Sequence, residues 1–265
     1  MSRYARSILQ RLRRTPARGS IGELVTLDDL TFELDWTDFS KKTTANHFLL
    51  CKPWSFIETY IKLLAQVPHR RMLELGVHQG GSAVFFAAAF KRLKKLAAVE
   101  LAAPLPPLDD NLKNNPRLNR KINIHYQTSQ DNAAALRSII REDLEDQPDI
   151  VIDDASHQYW PTRVSFETIF PKLTPGGLYI IEDWGWAHWD DYQKPGSPWY
   201  DQPALSNLVF ELVALQGSHG AWIQNIKILN SAFLVIQKHQ KASVLPEPFD
   251  LTWSIQARGK VLAHI

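Results

Sequence analysis

The chain has 265 residues, 45% of them hydrophobic, enough for one large α/β domain with a buried sheet plus terminal additions. A net charge of +2 does not point to nucleic acid, and the single cysteine, Cys51, excludes an intrachain disulfide and a thiolate zinc cluster. No run approaches the roughly 20 apolar residues of a membrane span and no secretory apolar region follows the basic start, so a cytoplasmic protein with neither membrane nor nucleic-acid partner is expected.

The first biased tract holds Arg3, Arg6, Arg11, Arg13, Arg14 and Arg18 without an acid. It reads either as a binding arm for a membrane surface, a nucleic acid or an import receptor, or as a weakly amphipathic helix carrying Ile8, Leu9 and Leu12 that packs on a neighbouring subunit or frays. The second reading is favoured. Residues 23–50 interleave apolar residues with acids; no element is assigned there, and a cap is one role for them. Residues 54–66 have apolar side chains at helical spacing and lead into a strand, residues 71–76, that ends in a glycine turn.

From there strand and helix patterns alternate. A helix is expected over residues 82–94, a strand over 96–100, a third strand over 122–126 and a helix over 132–144. A fourth strand follows at 149–153, a helix at 161–171, a fifth strand at 177–183 and a helix at 204–215. Two last strands, 223–229 and 233–238, are joined by Asn230-Ser231, a link too short for a parallel crossover, so this pair is antiparallel. The pattern predicts an α/β fold with a doubly wound, Rossmann-like, seven-stranded, mostly parallel sheet that has one antiparallel strand, plus an N-terminal helical or irregular extension. Residues 104–107 and 195–203 are read as loops.

Chemistry gathers where strands end in acids. The segment Glu74-Leu-Gly76-Val-His78-Gln-Gly80-Gly81-Ser82 joins the first strand of the alternating region to a helix, and Gly76 and Gly80 permit close approach of a ligand to free backbone amides. Glu100, ending the next strand, is placed to accept hydrogen bonds from both hydroxyls of a ribose. Asp153-Asp154-Ala-Ser-His157 and Glu182-Asp183-Trp184 put four carboxylates and an imidazole at strand ends, the edge at which open α/β sheets collect their ligands. Asp154, Glu182 and Asp183 offer only hard oxygen donors, which suits Mg²⁺, and three neighbouring carboxylates repel one another without a cation. Consecutive residues of a strand point to opposite faces, so Asp153 and Asp154 do not easily share one ion, and Asp153 is left to accept backbone or cofactor hydrogen bonds.

These motifs, across roughly residues 54–238, resemble the class I S-adenosylmethionine-dependent methyltransferases. More narrowly, the acid motifs resemble the Mg²⁺-dependent sugar O-methyltransferases of macrolide and related antibiotic pathways, together with relatives labelled cephalosporin hydroxylases and rhamnosyl O-methyltransferases. The resemblance implies that Asp154, Glu182 and Asp183 bind the metal and that His157 takes the acceptor's proton. It also implies that Glu74, Gly76, Gly80, Ser82, Glu100, Gln130, Asp131 and Asp153 serve the S-adenosylmethionine site, with Ser129-Gln130-Asp131 near the adenine. Asp131 reads equally well as the N-cap of a helix beginning at Asn132.

The expected organisation is an N-terminal arm and cap over residues 1–53, the methyltransferase domain over 54–240 and a C-terminal tail over 241–265. The expected activity is methylation of a hydroxyl on a small, glycosylated or polyhydroxylated natural product, with S-adenosylmethionine and Mg²⁺ as cofactors and a homo-oligomer left open. A catechol or phenol O-methyltransferase, an iron-dependent hydroxylase and a catalytically silent partner protein are the alternatives. The loop Trp184-Gly-Trp186-Ala-His188-Trp189-Asp190-Asp191-Tyr192, continuing to Trp199-Tyr200, is read as a lid or substrate wall, or as a hydrophobic plug.

Overall fold

The computed structural model describes residues 1–15, 22–229, 232–242 and 244–252. The chain divides after Thr128 into two compact units. In the N-terminal unit the basic arm opens with helix α1 (Arg3–Arg11), whose Ser2 Oγ accepts the Ala5 N–H at 3.1 Å as an N-cap. Ala5 and Ile8 are buried, so the apolar face packs inward on its own chain. Arg11 donates to both oxygens of Asp28 and to the carbonyls of Ala88 and Ala89. Arg14 pairs with Glu23 and lies over the Trp54 ring. Those pairings occupy two of the arm's arginines with the chain's own acids and carbonyls; Arg18 lies outside the described residues.

The extension expected to be helical or irregular contains a second sheet. Strands β1 (Leu12–Thr15), β2 (Glu23–Leu27), β3 (Leu30–Leu34) and β4 (Phe48–Leu50) lie in that order, antiparallel except for β3 with β4. Its strands alternate: Glu23, Val25 and Leu27 of β2 are buried, as are Leu30, Phe32 and Leu34 of β3. The acids that obscured the pattern sit on the alternate positions or in ion pairs.

Helix α2 (Trp54–Leu64) leads into β5 (Arg71–Leu75), α3 (Gly81–Ala89), β6 (Lys95–Val99), α4 (Pro106–Lys113), α5 (Pro116–Asn119) and β7 (Ile122–His125). Every residue of α3 is buried, as its unbroken Ala, Val and Phe content requires. Residues read as the loop 104–107 include the start of α4, where Pro106 and Pro107 occupy the first turn, the place in a helix that tolerates a missing N–H.

The C-terminal unit continues with α6 (Ala133–Leu144), β8 (Ile150–Asp153), α7 (Tyr159–Ile169), β9 (Leu178–Glu182), α8 (Ser206–Ser218), β10 (Ile223–Leu229) and β11 (Phe233–Lys238). Asn132, not Asp131, caps α6, its Oδ1 accepting the Ala135 N–H at 3.1 Å. Seven strands follow the order β10-β11-β9-β8-β5-β6-β7. β5 with β6, β6 with β7 and β8 with β9 are parallel, while β11 is antiparallel to both β9 and β10. This is the mostly parallel sheet with one reversed strand that the alternating pattern predicts. The link Asn230-Ser231 lies outside the described residues, and no described helix is long and apolar enough to cross a membrane.

Candidate active site

In the N-terminal unit the turn after β5 is built by left-handed backbone. Gly76 has φ +79°, His78 +47° and Gly80 +78°. A side chain at Gly80 would place its Cβ 2.2 Å from Leu108 Cδ2, and one at Gly81 would meet the Leu49 carbonyl oxygen at 2.0 Å. Glycine is therefore demanded here by the protein's own packing. Glu100 holds the turn from the end of β6: its Oε2 accepts the N–H groups of Val77 (3.1 Å) and His78 (2.9 Å), and its Oε1 accepts that of Ala102 (2.8 Å). Glu74 and Ser82 are buried on β5 and in the first turn of α3.

Sequence reading missed a second support of this turn. Thr43, buried between β3 and β4, donates through Oγ1 to the Gln79 carbonyl (2.7 Å) and accepts the Leu49 N–H (3.1 Å). Nothing in the sequence marks Thr43, because its partner lies 36 residues away.

In the C-terminal unit the ends of β8 and β9 carry the acids. Asp153 and Asp154 have different surroundings. Asp153 is 2% exposed and its carboxylate accepts from Gln130 Nε2 (3.0 Å), Ser165 Oγ (2.7 Å) and the Tyr179 hydroxyl (2.9 Å). Burial pushes its pKa up to about 6, against the downward pull of the Ser165 and Tyr179 hydroxyls. Asp154 is partly exposed instead. One ligand atom each from Asp154, His157 and Asp183 lie within 4.8 Å of one another. Glu182, the third carboxylate expected to bind metal, is 1% exposed at the end of β9 and stands outside that trio. Asp131 accepts the Ser129 hydroxyl at 2.5 Å at the surface.

His157 sits between these groups with Nε2 4.0 Å from Asp154 Oδ1 and Nδ1 3.4 Å from the Glu182 carbonyl oxygen. A carbonyl can only accept, so this contact is made with a proton on Nδ1. His157 (φ +55°) and Asp183 (φ +54°) both hold left-handed backbone that non-glycine residues adopt uncommonly.

A family model described as a methyltransferase domain matches residues 73–184, which include the glycine turn, Glu100 and the whole acid edge. Residues 73–184 are thus similar to a methyltransferase domain. Relatives are similar over short stretches: 38% identity over 73 residues to 8-demethyl-8-alpha-L-rhamnosyl tetracenomycin-C 2'-O-methyltransferase of Streptomyces olivaceus, covering 28% of this chain and 18% of that one. Mycinamicin VI 2''-O-methyltransferase of Micromonospora griseorubida is 48% identical over 50 residues, 19% of this chain and 12% of its own. The chain thus spans under a fifth of the length of these curated relatives. Among solved structures, the MycE methyltransferase of the mycinamycin biosynthetic pathway, in complex with Mg, SAH and mycinamycin VI, matches with a TM-score of 0.52 and 25% identity, covering 74% of this chain and 52% of that one.

Beyond the last matched residue of the methyltransferase domain the aromatic loop packs on itself. Trp186 stacks on Tyr192 (centroids 5.2 Å, planes 7° apart), meets Trp199 edge-on at 5.5 Å and lies 4.3 Å from the His157 ring. Trp199 Nε1 donates to the His157 carbonyl at 3.0 Å, and His188 Nε2 pairs with Ser206 Oγ at 2.8 Å. The indole N–H groups of Trp184 and Trp186 are buried and make no hydrogen bond with the protein. A wall of rings thus stands against the imidazole with two donors unspent.

Proposed function

We propose that this chain transfers the methyl group of S-adenosylmethionine to a hydroxyl on a sugar of a natural product, with Mg²⁺ held at the acid edge. The reading is carried by the convergence of Asp154, His157 and Asp183 at the ends of β8 and β9 within the stretch similar to a methyltransferase domain. The donors fit a hard divalent cation: two carboxylates close enough to repel one another gain from a shared ion, and Glu182 is the expected further carboxylate. When bound, the ion supplies Lewis acidity toward an acceptor hydroxyl and S-adenosylmethionine supplies the electrophilic methyl group.

The chain's own residues do the rest. Asp154 and Asp183 would hold the cation. His157, with its Nδ1 turned to the Glu182 carbonyl, presents Nε2 to take the acceptor's proton, a step worth about 10²- to 10⁴-fold in rate. On the cofactor side, Gly76 and Gly80 shape the turn and Glu100 fixes it by accepting the Val77 and His78 N–H groups. The Trp186, Trp189 and Trp199 rings offer apolar surface to a sugar. The acceptor class is supported by the rhamnosyl tetracenomycin and mycinamicin relatives and by the MycE complex with Mg, SAH and mycinamycin VI.

The test is incubation with S-adenosylmethionine, Mg²⁺ and a panel of glycosylated macrolides and aromatic polyketides, read by mass spectrometry. A methylated sugar formed with Mg²⁺, lost in chelator and restored by added Mg²⁺, is expected. Undiminished product in excess chelator overturns the metal, and methylation confined to simple catechols overturns the acceptor.

A further inference from the structure

Gln130 lies in the turn between β7 and α6, 6% exposed, and both ends of its amide are taken by the protein. Nε2 donates to Asp153 Oδ1 at 3.0 Å, and Oε1 accepts the Ser156 N–H at 2.8 Å. The orientation of the amide is fixed, because a carboxylate can only accept and a backbone N–H can only donate. Asp153 in turn is tied by its second oxygen to Ser165 on α7 and Tyr179 on β9. Gln130 therefore links a buried hub to the middle of the four-residue turn that carries Asp154 at one end and His157 at the other.

That turn needs external support. His157 holds φ +55°, and the Ser156 N–H has no helical partner because α7 starts only at Tyr159. Ser156 Oγ accepts the Gln158 N–H at 3.2 Å, so the residue gripped by Gln130 also guides the chain into α7.

We infer that Gln130 is a positioning residue for the Asp154–His157 turn, setting the geometry of the cation and proton-accepting groups through the Ser156 amide, and that it does not act by contact with the adenine of the cofactor. The inference rests on the reading of Asp154 and Asp183 as cation ligands, and it predicts a specific rescue. In Gln130→Glu the new carboxylate faces that of Asp153; at a pH high enough to ionise both, the pair repels and the brace breaks. In the double variant Gln130→Glu with Asp153→Asn, the direction of the bond is reversed: the introduced amide donates to the introduced carboxylate, whose other oxygen still accepts the Ser156 N–H, while the amide oxygen accepts from Ser165 and Tyr179.

Two measurements on the full chain decide it: Mn²⁺ and S-adenosylhomocysteine affinities by calorimetry, and hydrogen exchange over the peptide spanning residues 154–158. Gln130→Glu is expected to weaken Mn²⁺ binding by about 10- to 100-fold, as loss of support behind a ligand typically does, with S-adenosylhomocysteine affinity within about twofold. Exchange at Ser156 should quicken, and the double variant should recover both. Unchanged exchange in Gln130→Glu, or a double variant no better than the single one, overturns the brace. A loss of S-adenosylhomocysteine affinity with Mn²⁺ affinity intact overturns it in favour of adenine contact. Mn²⁺ binding that ignores Asp154→Ala and Asp183→Ala would instead remove the cation reading, and the exchange measurement then decides the brace alone.

Discussion

The Tyr179 hydroxyl donates to the Asp153 carboxylate at 2.9 Å with both side chains buried. Burial and the adjacent carboxylate hold the phenol well above its usual pKa, so it stays a donor at any working pH. Tyr179→Phe removes one hydrogen bond to a charged group and leaves the Ser165 and Gln130 donors in place, for an expected loss of about 1.5–3 kcal/mol of stability. Asp153→Ala orphans three buried donors and should cost more. Urea unfolding compares them; equal losses in the two variants would mean that Asp153 is not the hub.

A second carboxylate makes stability depend on acid. Asp35 is 2% exposed at the end of β3. Burial works to raise its pKa, but the Lys41 ammonium at 2.8 Å, the Thr37 N–H and hydroxyl, both at 2.9 Å, and the Asp38 N–H together lower it to about 2. The unfolded chain releases this proton at about 3.8. The contribution is therefore complete above about pH 4 and is lost as pH falls from there toward 2. The difference in unfolding free energy between wild type and Asp35→Asn should shrink over that window; a difference flat with pH would refute the assignment.

Much of this was readable from residue order, for reasons that also explain what was not. Strands β5, β6, β8 and β9 are buried on both faces and so stand out as short apolar runs, and β10 and β11 fall at their expected residues. Residues 23–50 hid a sheet because Glu23 takes a buried position in β2 and is neutralised by Arg14 in space, although Leu30-Thr31-Phe32-Glu33-Leu34 keeps a strand's alternation. The burial of Asp153 beside a partly exposed Asp154 agrees with the alternation expected at a strand's end. The grip of Gln130 on Ser156, 26 residues away, and of Tyr179 on Asp153 follows from no local pattern; the one clue was a tyrosine in an otherwise aliphatic strand.

Two glycines should respond to alanine with opposite signs. Gly80 has φ +78° and no room beside Leu108, so Gly80→Ala is expected to destabilise by about 1–3 kcal/mol and to weaken S-adenosylhomocysteine binding through the distorted turn. Gly217 lies in the last turn of α8 with no atom near its missing Cβ, and Gly217→Ala should add up to about 1 kcal/mol. Thermal unfolding checks both; a stabilised Gly80→Ala protein would show that the turn relaxes freely.

Ligand and base can be told apart at the acid edge. Asp154→Ala and Asp183→Ala each remove a carboxylate from the trio and should weaken Mn²⁺ binding by at least about tenfold. Glu182→Gln is expected to weaken it too, as loss of the third expected carboxylate; wild-type affinity there would confine the ligands to the trio. His157→Ala separates the two roles open to an imidazole placed 4.0 Å from Asp154. As a base it should lose about 10²- to 10⁴-fold in kcat while Mn²⁺ affinity stays within a few-fold. A collapse of Mn²⁺ affinity in His157→Ala would make the imidazole a ligand, and a centre with one nitrogen and two carboxylates would then favour Mn²⁺ over Mg²⁺.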